Sequence, residues 1–342
     1  MMFLNNDLQY VDIVYKFKHL CIYNITMEGE ILNGEQNMDI SQYRNLVFEG
    51  GGVLGVSYCG ALEELHRLNI LKNITGFAGT SVGSIVAALL ACGASYNFIR
   101  SELMGLNLAK LTDYTNDYKI VNFMNLINQY GLCKGDKLYN WITDMLYKLT
   151  GREKITFNDV KKLYGTDLYI TGTNLSRRSV VYFHHSTHPD MCVRDAIRIS
   201  TSVPGIFTPV NYNGELMVDG GVIVNLPINV FIKQGDHSAK NTLAFMFIHS
   251  DIETRPIAPI AGAIDYFWAV AETALNTNYK QYMHPDDYAR TVKIDVGNIS
   301  SMNFNITTEQ REFLVSQGRE SVRSYFAHLY PVKPKLALPA PN

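Results

Sequence analysis

Between Asn45 and Leu62 the chain reads NLVFEGGGVLGVSYCGAL: an apolar run, three consecutive glycines, and a fourth after two intervening residues. Glycine loses more conformational freedom on folding than any other residue, so such a cluster implies a backbone shape or a close approach that side chains would block. A strand feeding a glycine loop that feeds a helix is the opening of a βα unit. A second unit follows at once, ITGFAGTS running into VGSIVAALLACG. Two in succession argue for a parallel sheet with helices packed on it. At 342 residues, with 47% apolar, the chain is long enough for one large domain or two ordinary ones.

The remaining punctuation extends this plan. Residues 1–43 read as an N-terminal extension, in which YVDIVYKFKHLCIYNI suits an irregular helix or two strands. Residues 96–164 read as mainly helical, with apolar residues at three-to-four spacing in KLYNWITDMLYKL. Strands are expected at DLYITGTNL, VVYFHH, ELMVDGG, TLAFMFIHS and RTVKIDV, and helices at VRDAIRIS and over 261–283. Thr307 or Thr308 opens a last helix as N-cap. The expected division is an extension over 1–43, one domain over 44–330 and a proline-rich tail over 331–342.

Composition excludes several classes. A formal net charge of −2 and no dense Lys/Arg tract leave nothing to attract nucleic acid. Charged residues are only 18%, so much of the surface is polar and uncharged. Five scattered cysteines, none in C-x-x-C spacing, form neither a disulfide framework nor a zinc site and suit a reducing compartment. The start MMFLNNDLQY lacks the basic and apolar regions of a signal peptide. The apolar runs SIVAALLACGA and PIAPIAGAIDYFWAVA are respectively too short, and too interrupted by Asp265 and two prolines, to span a bilayer. The expectation is a cytoplasmic protein, or one peripheral at membranes.

Gly50, Gly52 and Gly55 spell G-x-G-x-x-G in the context that a dinucleotide site requires. That site also wants an acid about 20 residues further on, to hold the ribose. Around residue 70 the chain reads RLNILKNITG, without one, and no Gly-Lys-Ser/Thr follows to make a P-loop. Gly79-Thr80-Ser81-Val82-Gly83 is G-x-S-x-G at a strand-to-helix junction, where a sharp turn pushes one serine hydroxyl outward. The positive end of the next helix would favour the attacking oxygen.

A serine nucleophile needs a base. His249, His284 and His328 follow it in the order of a triad hydrolase, yet none has a motif around it. HHSTH, His184–His188, reads as a strand end or surface loop, with no acidic or cysteine partner nearby in sequence to make a metal site. Asp219 in MVDGG is the stronger candidate. Held by the turn at a strand end and facing Ser81 in an apolar setting, its proton affinity would rise toward that of a general base.

The glycine loop, G-x-S-x-G and D-G-G, in this order, resemble the patatin-like phospholipase family, as do GALEEL, SVPGIFTPV and VDGGVIVNLP. The resemblance covers roughly Asn45 to Pro227. It implies an α/β fold of three layers, with a mostly parallel central sheet, helices on both faces and a relation to α/β-hydrolase architecture. It implies Ser81 as nucleophile and Asp219 as proton acceptor, a dyad without histidine, and an oxyanion hole at Gly51, Gly52 and Val53. Gly50 and Gly55 would shape the loop, Gly79 and Gly83 the elbow, and Gly220 and Gly221 the turn after Asp219. The reaction implied is hydrolysis of lipid acyl esters, of phospholipase A or lysophospholipase type, at a membrane or micelle surface, with no metal or other cofactor. Leu54 departs from the family, which commonly has Arg or Lys there, so headgroup preference stays open. The competing readings are a silent lipid- or partner-binding module, triacylglycerol lipase-type specificity, a triad hydrolase and a nucleotide-binding oxidoreductase.

Overall fold

Both expected βα units form: β1 (Asn45–Phe48) leads to α1 (Ser57–Arg67), and β2 (Gly76–Gly79) to α2 (Val82–Ala91). The computed structural model describes residues 40–112, 128–232, 241–250, 269, 273 and 283–327. Residues 1–39 of the extension, most of the helix expected over 261–283, His328 and the tail over 331–342 lie outside them. Contacts divide the chain after Ile40, and the elements belong to the unit that starts at Ser41. After α2 come α3 (Tyr96–Gly105), β3 (Gly131–Cys133), α4 (Asp136–Thr150), α5 (Phe157–Tyr164), β4 (Asp167–Asn174), β5 (Ser179–Phe183) and α6 (Val193–Ser200). Then follow β6 (Gly205–Phe207), β7 (Val210–Tyr212), β8 (Glu215–Asp219), β9 (Thr242–Ile248), α7 (Pro285–Ala289), β10 (Thr291–Asp295) and α8 (Thr308–Tyr325).

The main sheet has the order β10-β9-β1-β2-β4-β8-β7, with β5 also on β4; β3 and β6 make a separate parallel pair. From β10 to β4 every pairing is parallel. Beyond β4 the pairings are antiparallel, and short links join β4 to β5 and β7 to β8, the connection that antiparallel neighbours allow. Asn213 and Gly214 make the second link, with φ 53° and 81°. Positive φ at both positions matches strand twist and is the reason Asn-Gly suits two-residue hairpins. The sheet is therefore mixed, with helices on both sides.

Two-sided cover also follows from burial. Successive strand residues point to opposite faces, so a strand buried along its whole length needs cover on both. β2 is buried throughout, and β1 and β9 at all but one end residue. On one face Val47, Ala78, Ala244 and Met246 pack with Leu226 and Ile228. On the other, Phe48 stacks on Phe245 (5.3 Å between centroids) and Tyr58 of α1 meets Phe48 edge-on at 5.1 Å. Among the described residues no helix is long and apolar enough to cross a membrane.

Candidate active site

Two strands share one edge of β4 and run toward each other. β2, parallel to β4, pairs up to Gly79 opposite Ile170; β8, antiparallel, ends with Asp219 opposite Gly172. β5 takes the other edge over the same stretch. The C-terminal ends of β2 and β8 therefore face each other, with only Thr171 between their partners. Ser81 leaves one end and Asp219 stands at the other.

Gly79 and Gly83 make the serine turn sharp. A Cβ on Gly79 would lie 2.2 Å from the Gly83 carbonyl oxygen, so strand and helix touch backbone to backbone. The turn puts Ser81 at φ 52°, ψ −126°. A positive φ of this kind costs a non-glycine residue about 1–3 kcal/mol and persists only where the surroundings over-determine it. Here the Ser81 N–H donates to Ser200 Oγ at 2.9 Å. Its carbonyl accepts from the Ser84 N–H at 2.9 Å and from Ser84 Oγ at 2.6 Å. The side chain stands at the N-terminal end of α2, where the helix dipole favours negative charge.

Asp219 is 1% exposed. Its N–H donates to the Ser202 carbonyl at 3.0 Å, and its Oδ1 accepts from the Gly221 N–H at 2.8 Å. Oδ2 is buried and has no regular hydrogen bond. Burial pushes this carboxyl up to about 7, against the opposing pull of the Gly221 N–H and the nearby Ser81 hydroxyl. Gly220 lies against Thr171, whose Oγ1 a Cβ there would meet at 2.5 Å.

The glycine loop is clamped from two directions. The Gly50 N–H donates to the Asn225 carbonyl at 3.1 Å, while Asn225 Nδ2 donates to the Gly50 carbonyl at 3.0 Å and to Glu49 Oε1 at 3.2 Å. Glu49 Oε2 accepts from the Phe247 N–H at 2.5 Å, tying the loop to β9. Gly52 has φ +53°, and a Cβ on it would lie 2.2 Å from the Ser301 carbonyl oxygen. That same oxygen accepts the Val53 N–H at 3.1 Å. Of the three residues expected to supply the anion hole, Val53 is thus committed elsewhere, whereas the N–H groups of Gly51 and Gly52 have no acceptor among the described residues. Gly55 lets the loop lie on α2, since a Cβ there would meet Val82 at 2.3 Å. Leu54 is fully buried, so the loop carries no cation at that position.

Gly50–Gly52, Ser81, Asp219 and Asn225 line one cleft of about 750 Å³, counting its part open to solvent. Its other walls are largely apolar and include Val82, Ile85, Leu138, Ile206, Phe207 and Phe304. No histidine lines it among the described residues. His249 Nδ1 bonds with the Gly297 carbonyl at 2.7 Å, and His284 caps α7 by accepting from the Asp286 N–H. Asn225, Ser200 and Ser301 were not singled out in the sequence. Asn225 sits six residues after Asp219 within VDGGVIVNLP, a findable signal, but nothing in sequence ties Ser301 to the loop.

A strained serine, a buried aspartate and a loop with two unengaged N–H groups thus meet at the strand ends of an α/β sheet. The chain belongs to the patatin-like phospholipase family, whose model matches residues 46–232. Protein R571 of Acanthamoeba polyphaga mimivirus is 31% identical to it over 291 residues, covering 84% of this chain and 95% of R571. Protein 463L of Invertebrate iridescent virus 6, named "Probable lipid hydrolase", is 30% identical over 290 residues, 83% of this chain and 85% of its own. The fold is similar to that of VipD from Legionella pneumophila, with a TM-score of 0.56 at 17% identity over 84% of this chain and 67% of VipD.

Proposed function

We propose that this protein is a lipid acyl hydrolase, acting on fatty acyl esters of (phospho)lipids through a Ser81–Asp219 dyad. One observation carries the reading. The cleft that holds the strained Ser81 also holds a buried carboxylate with a free oxygen and a pKa near 7. A group tuned close to ambient pH can take a proton and give it back.

In this mechanism Asp219 Oδ2 takes the Ser81 hydroxyl proton as Oγ attacks the ester carbonyl carbon. The N–H groups of Gly51 and Gly52 hold the tetrahedral oxyanion, charge that develops only during reaction. Collapse breaks the ester C–O bond, and Asp219 returns the proton to the departing alcohol. Water then loses a proton to Asp219 and attacks the acyl-enzyme, freeing the fatty acid and restoring the Ser81 hydroxyl. The apolar walls around Val82, Ile85, Leu138, Phe207 and Phe304 suit an acyl chain. Transient contact with a membrane or micelle surface delivers it. The patatin-like family and the name carried by 463L support the same class.

The test is labelling by a fluorophosphonate probe together with fatty acid release from defined phospholipids, lysolipids and glycerides, with products identified by mass. Ser81→Ala is expected to abolish both labelling and release, and Asp219→Asn to abolish release. His249→Ala and His284→Ala are expected to retain turnover. A folded protein that neither labels nor releases acid is a binding module instead, and loss on a histidine change returns the triad.

A further inference from the structure

Away from Ser81, the structure brings together three groups that lie on different segments of the sequence. β4 begins at Asp167, and its neighbour β5 ends at Phe183, paired with Ile170. Beyond that pair the chain turns: the N–H groups of Thr187 and His188 both donate to the His184 carbonyl, at 3.0 and 2.7 Å. Consecutive strand residues face opposite sides, but the turn lets the His184 and His185 rings lie together, 4.0 Å between centroids. His184 stacks flat on Tyr169 at 3.9 Å. Asp167, two residues before Tyr169, then reaches both imidazoles. Its Oδ1 is 3.5 Å from His184 Nε2 and 3.1 Å from His185 Nε2.

We propose that Asp167, His184 and His185 form a binding site for a zinc-type divalent transition metal. Two imidazoles and one carboxylate are the donor set that such ions prefer over Mg²⁺ or Ca²⁺. Bonds of about 2.0–2.2 Å in a tetrahedral site put ligand atoms about 3.3–3.6 Å from each other, close to the two carboxylate–imidazole separations. The three ligand atoms already lie within 4.8 Å of one another. Rotation of His185, the more exposed ring, closes the remaining gap. The His184 side chain is only 7% exposed, and its Nε2 is buried without a hydrogen-bond partner, aimed at Asp167. Its other nitrogen, Nδ1, is 2.7 Å from Ser186 Oγ and accepts from the Ser186 N–H at 3.3 Å; a metal on Nε2 requires Nδ1 to carry the proton and donate to Ser186 Oγ instead, the kind of outer contact by which metal-bound histidines are oriented. A pocket of about 600 Å³, counting its part open to solvent, adjoins the cluster on the His184 side and is lined by Tyr169, Tyr182, His184 and Ser186.

The competitor is Lys161, whose Nζ donates to Asp167 Oδ1 at 2.9 Å. Its ammonium occupies the place of the cation's charge, and it already approaches the Gly165 carbonyl at 3.5 Å, toward which a metal would displace it. If the cluster is merely an ion-pair network, Lys161 holds it together; if it is a metal site, Lys161 weakens it. The two readings predict opposite effects of removing that lysine.

Zn²⁺ alone, equilibrated with the full chain and titrated against a chromophoric chelator, decides between them. One ion per chain is expected. Asp167→Asn and His185→Gln, both on partly exposed side chains and checked for unchanged melting, are expected to weaken binding at least ~100-fold. Ser186→Ala is expected to weaken it about 10–100-fold, the usual cost of losing an outer contact. Lys161→Met is expected to tighten it several-fold, and Co²⁺ to give a four-coordinate absorption spectrum. Absence of retained zinc, retention unchanged in Asp167→Asn and His185→Gln, or a six-coordinate cobalt spectrum would overturn the proposal. None of these readouts depends on acyl hydrolysis.

Discussion

At the scale of single residues, Asp219 gives the sharpest expectations. In the proposed dyad its carboxyl must be ionised to take the serine proton, so kcat/KM should rise with pH, inflect near 7 and level off above. The same group links stability to pH. The folded protein keeps this proton until about pH 7, whereas the unfolded chain releases it near 3.9. The stabilisation is complete below about pH 4 and is lost as pH rises through 7, up to about 4 kcal/mol in all. Asp219→Asn lacks that titration, so its stability should gain on the wild type between pH 4 and 8. Denaturant midpoints measured at each pH test this, and a constant difference contradicts it. Asn225 acts through the loop it clamps. Asn225→Ala should lower kcat about tenfold or more with KM little changed, because Gly51 and Gly52 lose their aim rather than the substrate its binding surface. The turns that carry Ser81 and Asp219 were legible in sequence because their motifs describe local geometry. The engagement of Val53 was not, since its partner Ser301 arrives from a distant segment.

Among elements, glycines bring α1 and α8 into backbone-to-backbone contact. A Cβ on Gly60 would lie 1.8 Å from the Val315 carbonyl oxygen, and one on Gly318 would lie 1.9 Å from that of Ser57. Backbone cannot give way as a flexible side chain can, so Gly318→Ala should destabilise by about 1–3 kcal/mol, read as a lower denaturant midpoint. Arg319 with Glu63 and Arg323 with Glu64 border this contact. The start of α8 was readable to within one residue: of Thr307 and Thr308, it is Thr307 that caps, in a reciprocal capping box with Gln310. Asn213-Gly214 is a local signal for the β7–β8 hairpin as well. β3 and β6 were not legible. Three-residue strands carry too little periodicity, and their pairing joins segments far apart in the chain.

For the whole molecule, the matched family region ends at 232, but the sheet does not. β9 pairs with β1 and carries the Phe247 N–H that holds Glu49, while Ser301 seats the glycine loop. A chain ended at residue 232 should therefore show no cooperative unfolding transition and no fluorophosphonate labelling, because β1 loses its neighbour and the loop its seat. Calorimetry and labelling of that fragment check the point.

The sequence by itself determined the two βα units, the serine elbow, the aspartate turn and the family, because each is written in contiguous residues whose backbone chemistry is local. Tertiary structure alone decided the rest. It set Asp219 head-on to Ser81 along β4, freed the N–H groups of Gly51 and Gly52 but not that of Val53, and brought Asp167 to His184 and His185. Those facts depend on strand order and on which carbonyls remain unpaired after folding, and neither is encoded in any short stretch of chain.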